Sequence, residues 1–449
     1  MEQRPAIDDQ AAVPRGVPLS VPSVRGVLVS AFRRLMRLYF RDIERVGVPP
    51  GPDTRGRVIV SNHTNALIDP ILVLTDAACE ISPVAKSTLW SVPGLRWLLD
   101  RAGAVPIVRR KDTPDKDVAS NAAMFDTIAG HLAGGGNLLI FPEGTSHSEP
   151  HLAPLRTGAA RMLLAAERRG GVAPTFQAAA LEFDARAEFR SRCLVLWGPV
   201  RRFGEQTGAS DEERVRAATA VMEQDLSELL VEGDTHEERL RVARIAELLA
   251  NDDGDRSLGK WSGIGRQVEL ANRTLRHVDA TLVARVGERV DEYYAELERL
   301  GLEDGMICGA SRDPGSPRRE ALPTGWRRVA LAPLAASGVV LYAIPYFIPR
   351  LLARSWDPDA VSTIKLGASL VVYPLWAAGL VTGSMVLLPP PLSFAAAALA
   401  LASPFAALRW LDAWYTHSAE PTPDELAQLA RLRVAARAAI DEARTRLPS

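Results

Sequence analysis

The stretch Ser61-Asn62-His63-Thr64-Asn65-Ala66-Leu67-Ile68-Asp69-Pro70 sets an imidazole and a carboxylate six residues apart. A neutral imidazole can take the proton of an alcohol as that alcohol attacks a carbonyl. A carboxylate on the far ring nitrogen fixes the tautomer and stabilises the imidazolium. Asp69 alone also reads as a helix N-cap, with Pro70 at the first helical position. No Gly-x-Ser-x-Gly elbow accompanies His63, which favours direct attack by a bound alcohol over a covalent acyl-enzyme. A second block, Gly103 to Lys111, delivers Arg109, Arg110 and Lys111 to one loop. Such a cluster suits a phosphate, or is a solvated basic turn. A third, Leu139 to Ser146, runs into Pro142-Glu143-Gly144-Thr145. Glu143 would bind an acceptor hydroxyl or pair with Arg109, and Gly144 would let main-chain amides approach an oxyanion or phosphate. The plain alternative is an ordinary turn at a strand end.

These blocks need a scaffold. Apolar runs at Val58–Val60, Ile81–Ala85, Ala104–Val108, Leu138–Phe141, Ala178–Phe183 and Leu194–Trp197 read as strands. Helical stretches near 70–78, 88–101, 115–133 and 156–169 alternate with them. That alternation predicts an α/β fold, a mostly parallel central sheet flanked by helices. Ligands sit beyond the carboxyl ends of such strands. His63, Arg109 and Glu143 each follow a candidate strand, so one rim can hold all three.

Taken together, the three blocks resemble the phospholipid/glycerol acyltransferase family, over roughly residues 40–205. Asn62-His63…Asp69 resembles its first motif, Gly103…Arg109 its second and Phe141-Pro142-Glu143-Gly144-Thr145 its third. The resemblance implies His63 as general base and Asp69 as its orienting acid. It implies Arg109, Arg110, Glu143, Gly144 and Thr145 in acceptor and phosphate binding, with Asn62, Asn65, Lys86 and Ser146 in support. Ala85-Lys86-Ser87-Thr88-Leu89-Trp90 and Phe189-Arg190-Ser191-Arg192 are similar to the branch of glycerol-3-phosphate and dihydroxyacetone-phosphate acyltransferases. Five residues separate His63 from Asp69, where the common pattern has four. The fourth motif is degenerate, near Thr175–Leu181. The implied reaction moves a fatty acyl group from acyl-CoA or acyl-carrier protein to a hydroxyl of glycerol-3-phosphate or 1-acylglycerol-3-phosphate. It needs neither metal nor cofactor. Its rivals are acylation of another lysophospholipid or alcohol, thioester hydrolysis, and a non-catalytic lipid-binding membrane protein.

The rest of the chain fits a membrane enzyme. Residues 1–22 read as a flexible lead, without an apolar signal region. Residues 24–41 read as an amphipathic helix with Arg33, Arg37 and Arg41 on one side, lying in a membrane interface or on its own domain. The acyltransferase domain, 42–205, is followed by a charged helical region at 206–310, a scaffold or lid, and by a linker at 311–326. Val329 to Pro349 carries no charge, and neither does Leu366 to Leu408. About 20 apolar residues span a bilayer. Within 327–410, stretches 366–388 and 392–408 therefore read as two spans. Pro333, Pro345 and Pro349 point to a re-entrant first segment, which leaves Arg327, Arg328, Arg350, Arg354, Lys365 and Arg409 together on the cytoplasmic face with the catalytic domain. A helix at 420–446 closes the chain. The net charge of −1 points to no nucleic-acid partner. Three scattered cysteines make neither a disulfide framework nor a zinc site.

Overall fold

The computed structural model describes residues 23–91, 95–107, 118–186, 188–307, 326–356, 361–414 and 421–447. The lead at 1–22, Arg109 and Arg110, and all of the linker but Trp326 lie outside the described residues. Seven strands are β1 (Asp42–Val46), β2 (Arg57–Ser61), β3 (Ser82–Lys86), β4 (Val105–Ile107), β5 (Leu138–Ile140), β6 (Thr175–Phe183) and β7 (Arg192–Arg202). They form one sheet in the order β1-β7-β6-β2-β5-β3-β4. Every neighbouring pair is parallel except β6–β7. The mostly parallel sheet is as expected. β1 was not anticipated, because its charged residues Asp42, Glu44 and Arg45 mask a five-residue edge strand.

Side chains alternate across the sheet with period two. Val58, Val60, Leu138, Ile140, Phe176 and Ala178 enter one core, while Ile59, Leu139, Ala179 and Leu181 enter the other. Helices α1 (Val24–Tyr39) and α2 (Ile68–Asp76) cover the second face. Helices α3 (Leu95–Ala102), α4 (Val118–Ala133), α5 (Gly158–Arg169) and α6 (Asp211–Ser227) follow, and α5 and α6 cover the first face. Helix α1 uses its apolar side on its own domain: Met36, Tyr39 and Phe40 are buried. Arg25 and Arg33 donate to the carbonyls of Ile81 (2.5 Å) and Thr75 (2.9 Å). Val24, Val27, Leu38 and the Arg34 and Arg37 side chains remain outward. The Phe189–Arg192 block is a fastener: Arg190 donates to the carbonyls of Leu38 and Phe40 at the end of α1, and Arg192 to that of Arg256.

The charged region is a helical lobe of α7 (His236–Asp252), α8 (Leu258–Val278), α9 (Ala280–Leu300) and the short α10 (Asp304–Ile307). Glu44 on β1 takes the main-chain N–H groups of Leu258 and Gly259 at the start of α8 (2.8 and 3.1 Å). Further on come α11 (Trp326–Ala353), α12 (Val361–Leu387), α13 (Leu392–Trp414) and α14 (Pro423–Thr445). Three of them hold apolar stretches long enough to cross a membrane: Leu331–Ala353, Val361–Leu387 and Leu392–Leu411. The breaks expected within the first stretch are not seen. Helix α11 is continuous through Pro333, Pro345 and Pro349. Prolines are tolerated there because neighbouring helices re-satisfy freed backbone groups. The last helix, α14, belongs to the lobe. Leu429, Ala436 and Ile440 join its core, and Arg433 pairs with the fully buried Asp304 (2.8 Å) and with Asp252 (2.6 Å).

Candidate active site

The register aligns the site. Val60 on β2 pairs with Ile140 on β5, so His63 and Glu143, each three residues further on, leave adjacent parallel strands at one level. As β2 ends, the Asn62 side chain takes over its pairing with β6. Its amide donates to the Leu181 carbonyl (3.0 Å) and its oxygen accepts the Leu181 N–H (2.8 Å). Asn62 therefore shapes the exit of the strand and faces away from the cavity.

His63 Nδ1 lies 3.1 Å from Asp69 Oδ2, and Asp69 is fully buried. A carboxylate only accepts, so this contact assigns the ring proton to Nδ1 and leaves Nε2 as a base. The imidazole stacks on Phe141 at 4.1 Å and lines the cavity. Asp69 is not the expected N-cap. Helix α2 starts earlier, at Ile68, with Leu67 at the cap position and no side-chain capping bond. Asp69 Oδ2 instead reaches back to the main-chain N–H groups of Thr64 (2.8 Å) and Asn65 (2.6 Å). Those bonds curl the loop so that five intervening residues still bring acid and base together. Asn65 is buried and donates to the Arg186 carbonyl at 3.2 Å.

Glu143 departs from the acceptor role implied for it. Its carboxylate is buried and does not line the cavity. Oε1 accepts the His63 N–H (2.6 Å); Oε2 accepts the Ala153 N–H (3.1 Å) and a short bond from His147 Nε2. His147 Nδ1 accepts from the Glu149 N–H (3.3 Å), which places the proton of that ring on Nε2. Glu143 is thus a strap holding the backbone of His63. Gly144, at φ +80°, needs its missing side chain: a Cβ would sit 2.7 Å from Arg156 Nε. Its N–H closes the turn onto the Phe141 carbonyl (3.1 Å) and is not an oxyanion donor. Thr145 is exposed and off the cavity wall, whereas Ser146 and Lys86 line it.

Beside His63 opens a cavity of about 950 Å³, walled by Leu28 and Phe32 of α1, Ile71 and Leu74 of α2, and Leu95, Leu98 and Leu99 of α3. Ligand sites commonly run to about 300–1,000 Å³. Lys86, Ser146 and Arg156 are among the polar residues of its wall. Arg156 lies across Gly144, and no carboxylate pairs with it among the described residues. Arg156, His147 and Thr363 were not picked out from the sequence. A His four residues after Glu143 was the legible trace of the strap. An Arg twelve residues past Gly144 gave no comparable sign.

A base held by a buried acid thus sits at the rim of a parallel sheet, beside an apolar hollow whose wall includes Arg156. A family model described as Acyltransferase matches residues 42–176. The chain is 35% identical over 285 residues to glycerol-3-phosphate O-acyltransferase 2 of Saccharomyces cerevisiae (strain ATCC 204508 / S288c), a match covering 57% of this chain and 37% of that protein. The chain thus spans little more than a third of the length of that curated relative. Among solved structures it is similar to the 1-acyl-sn-glycerophosphate (LPA) acyltransferase PlsC from Thermotoga maritima. That likeness has 16% identity and a TM-score of 0.33, over 46% of this chain and 81% of that one.

Proposed function

We propose that this protein is a membrane-bound O-acyltransferase of glycerolipid synthesis. It transfers a fatty acyl group from acyl-CoA or acyl-carrier protein to a hydroxyl of glycerol-3-phosphate or 1-acylglycerol-3-phosphate. The observation that carries this reading is the His63–Asp69 pair at the mouth of the apolar cavity, with Arg156 beside it. The acyl chain lies in the cavity between α1, α2 and α3, which places the thioester carbonyl near His63. His63 Nε2 takes the hydroxyl proton as the oxygen attacks that carbonyl carbon, and Asp69 stabilises the imidazolium. Ser146, on the wall, is a donor available to the oxyanion. The intermediate collapses with cleavage of the C–S bond, and the thiolate leaves with the proton from His63. Arg156 holds the acceptor phosphate, and the Arg109–Arg110 pair that follows β4 is assigned the same task by its motif. The apolar helices α11–α13 keep the enzyme at the bilayer, with the catalytic domain on the cytoplasmic face.

The test is thiol release by the purified protein in lipid nanodiscs, with acyl-CoA alone and with each acceptor. Release that requires glycerol-3-phosphate or its 1-acyl derivative is expected. Equal release without any acceptor would make the protein a hydrolase, and none at all would leave a lipid-binding module. Replacing Arg156 by Ala is expected to raise the acceptor KM about tenfold or more, since a charge-assisted bond contributes about 1.5–3 kcal/mol. The KM for acyl-CoA should stay put. An unchanged acceptor KM removes Arg156 from phosphate binding.

A further inference from the structure

The apolar helix α12 touches the catalytic loop at its very start. Thr363 Oγ1 accepts the Leu67 N–H (3.1 Å), 296 residues away in sequence. Leu67 sits at the cap position of α2, whose first-turn N–H groups have no partner inside the helix. One residue earlier, the buried Ser362 donates to the Arg186 carbonyl (3.2 Å). That carbonyl is also the one held by Asn65, inside the His63–Asp69 loop. Arg186 also donates to the Thr64 carbonyl (3.2 Å), the His147 carbonyl (3.3 Å) and Ser148 Oγ (2.8 Å). Leu366, one turn on, is buried in the core beneath α2. Thr363 itself lines the cavity. Beyond Lys365 the helix carries no charge and none of its apolar window is buried in the protein.

We propose that the first turn of α12 is a working part of the active site, with Thr363 and Ser362 as positioning residues for the loop that carries His63 and Asp69. The membrane block thereby reaches into catalysis and is more than an anchor. This rests on the acyl-transfer reading above. The loop between base and acid is fixed from inside by Asp69 and from outside by Arg186 and Thr363. Without the outer contacts the imidazole keeps its acid but loses its level relative to the cavity mouth.

The experiment compares Thr363→Val, Thr363→Ser and Ser362→Ala with wild type in nanodiscs, by transfer kinetics and by hydrogen exchange of the segment 64–69. Thr363→Val keeps the shape and removes the acceptor. It is expected to lower kcat about tenfold, the upper range for one neutral hydrogen bond, at unchanged KM for acyl-CoA. Exchange of the segment should quicken. Thr363→Ser should restore both readouts, and Ser362→Ala should shift both in the same sense as valine. Wild-type exchange in Thr363→Val, or a fallen kcat with exchange unmoved, overturns the proposal. So does faster exchange at wild-type kcat. A wild-type protein without transfer activity would instead overturn the acyltransferase reading, while the exchange comparison would still decide the contact.

Discussion

Replacing His63 by Ala is expected to lower acyl transfer by about 10²–10⁴-fold, the range supplied by a positioned general base, while membrane association and melting hold. The fold should survive because the structural bonds at this position run through the backbone. The His63 N–H goes to Glu143 and its carbonyl accepts from the His147 N–H (3.1 Å). What the substitution removes is the ring, with Nε2 facing the cavity and its stacking on Phe141. Asp69→Asn sharpens the point. An asparagine can keep its oxygen where Oδ2 lies, and so still accept from Thr64 and Asn65. It cannot offer a negative charge to the imidazolium. The loss should again be in kcat, up to about 10⁴-fold, the size of the effect of the same change in a Ser-His-Asp triad. Steady-state kinetics decide. A His63→Ala protein that still transfers at a tenth of the native rate would remove His63 from the chemistry.

Glu143→Gln is the second large effect, although the carboxylate never meets substrate. Three donors converge on it: the His63 and Ala153 N–H groups and His147 Nε2. Glutamine supplies one oxygen and two hydrogens. If its oxygen faces His63, its NH₂ faces Ala153 and His147. If it is turned, His63 is abandoned. His147 gains nothing by changing tautomer, because Nδ1 would then point a proton at the Glu149 N–H. At least one buried donor loses its partner, at about 1–3 kcal/mol. The variant should therefore melt lower, and it should lose about 10²-fold or more in kcat because small misplacements of the base are costly. Native melting and native kcat together would show that the strap is dispensable.

Much of the scaffold was legible in the residues and some was not, for identifiable reasons. Val58–Val60 and Leu138–Phe141 announce strands because continuous apolar runs suit a sheet buried on both faces. Charged β1 hides, and nothing in run length reveals that β6 and β7 are antiparallel. The motif blocks located the loops, and the sheet register explains why two of them meet. Roles inside the blocks were harder. Asp69 reads both as a helix cap facing forward and as the acid of His63, and it faces back to His63. Glu143 was expected at the acceptor and holds a backbone, because a carboxylate's partners follow from burial, which spacing does not encode. Arg156 and Thr363 belong to the site through tertiary contacts alone. Three prolines in α11 looked like breaks, yet tight packing against α13 keeps the helix whole: a Cβ at Gly338 would lie only 2.6 Å from the Ser403 carbonyl carbon.

The placement of α14 has a topological consequence. It is bonded to the lobe that the chain leaves at Ile307, through Arg433 to Asp304 and through Arg285 to Glu442 (2.7 Å). A polypeptide that departs from one side of a bilayer and rejoins itself there has made an even number of passages. Lipid-exposed chain passes a bilayer as helix, so with these segments in a membrane three complete passages by α11–α13 are excluded. Two fit, with α12 and α13 as the pair and α11 lodged in the leaflet it entered, an arrangement that keeps the flanking arginines on a single side. An impermeant thiol reagent should then reach Trp326→Cys and Asp424→Cys from the same face and Pro391→Cys from the opposite one. Opposite labelling of the first two would mean that α14 does not rest on α9.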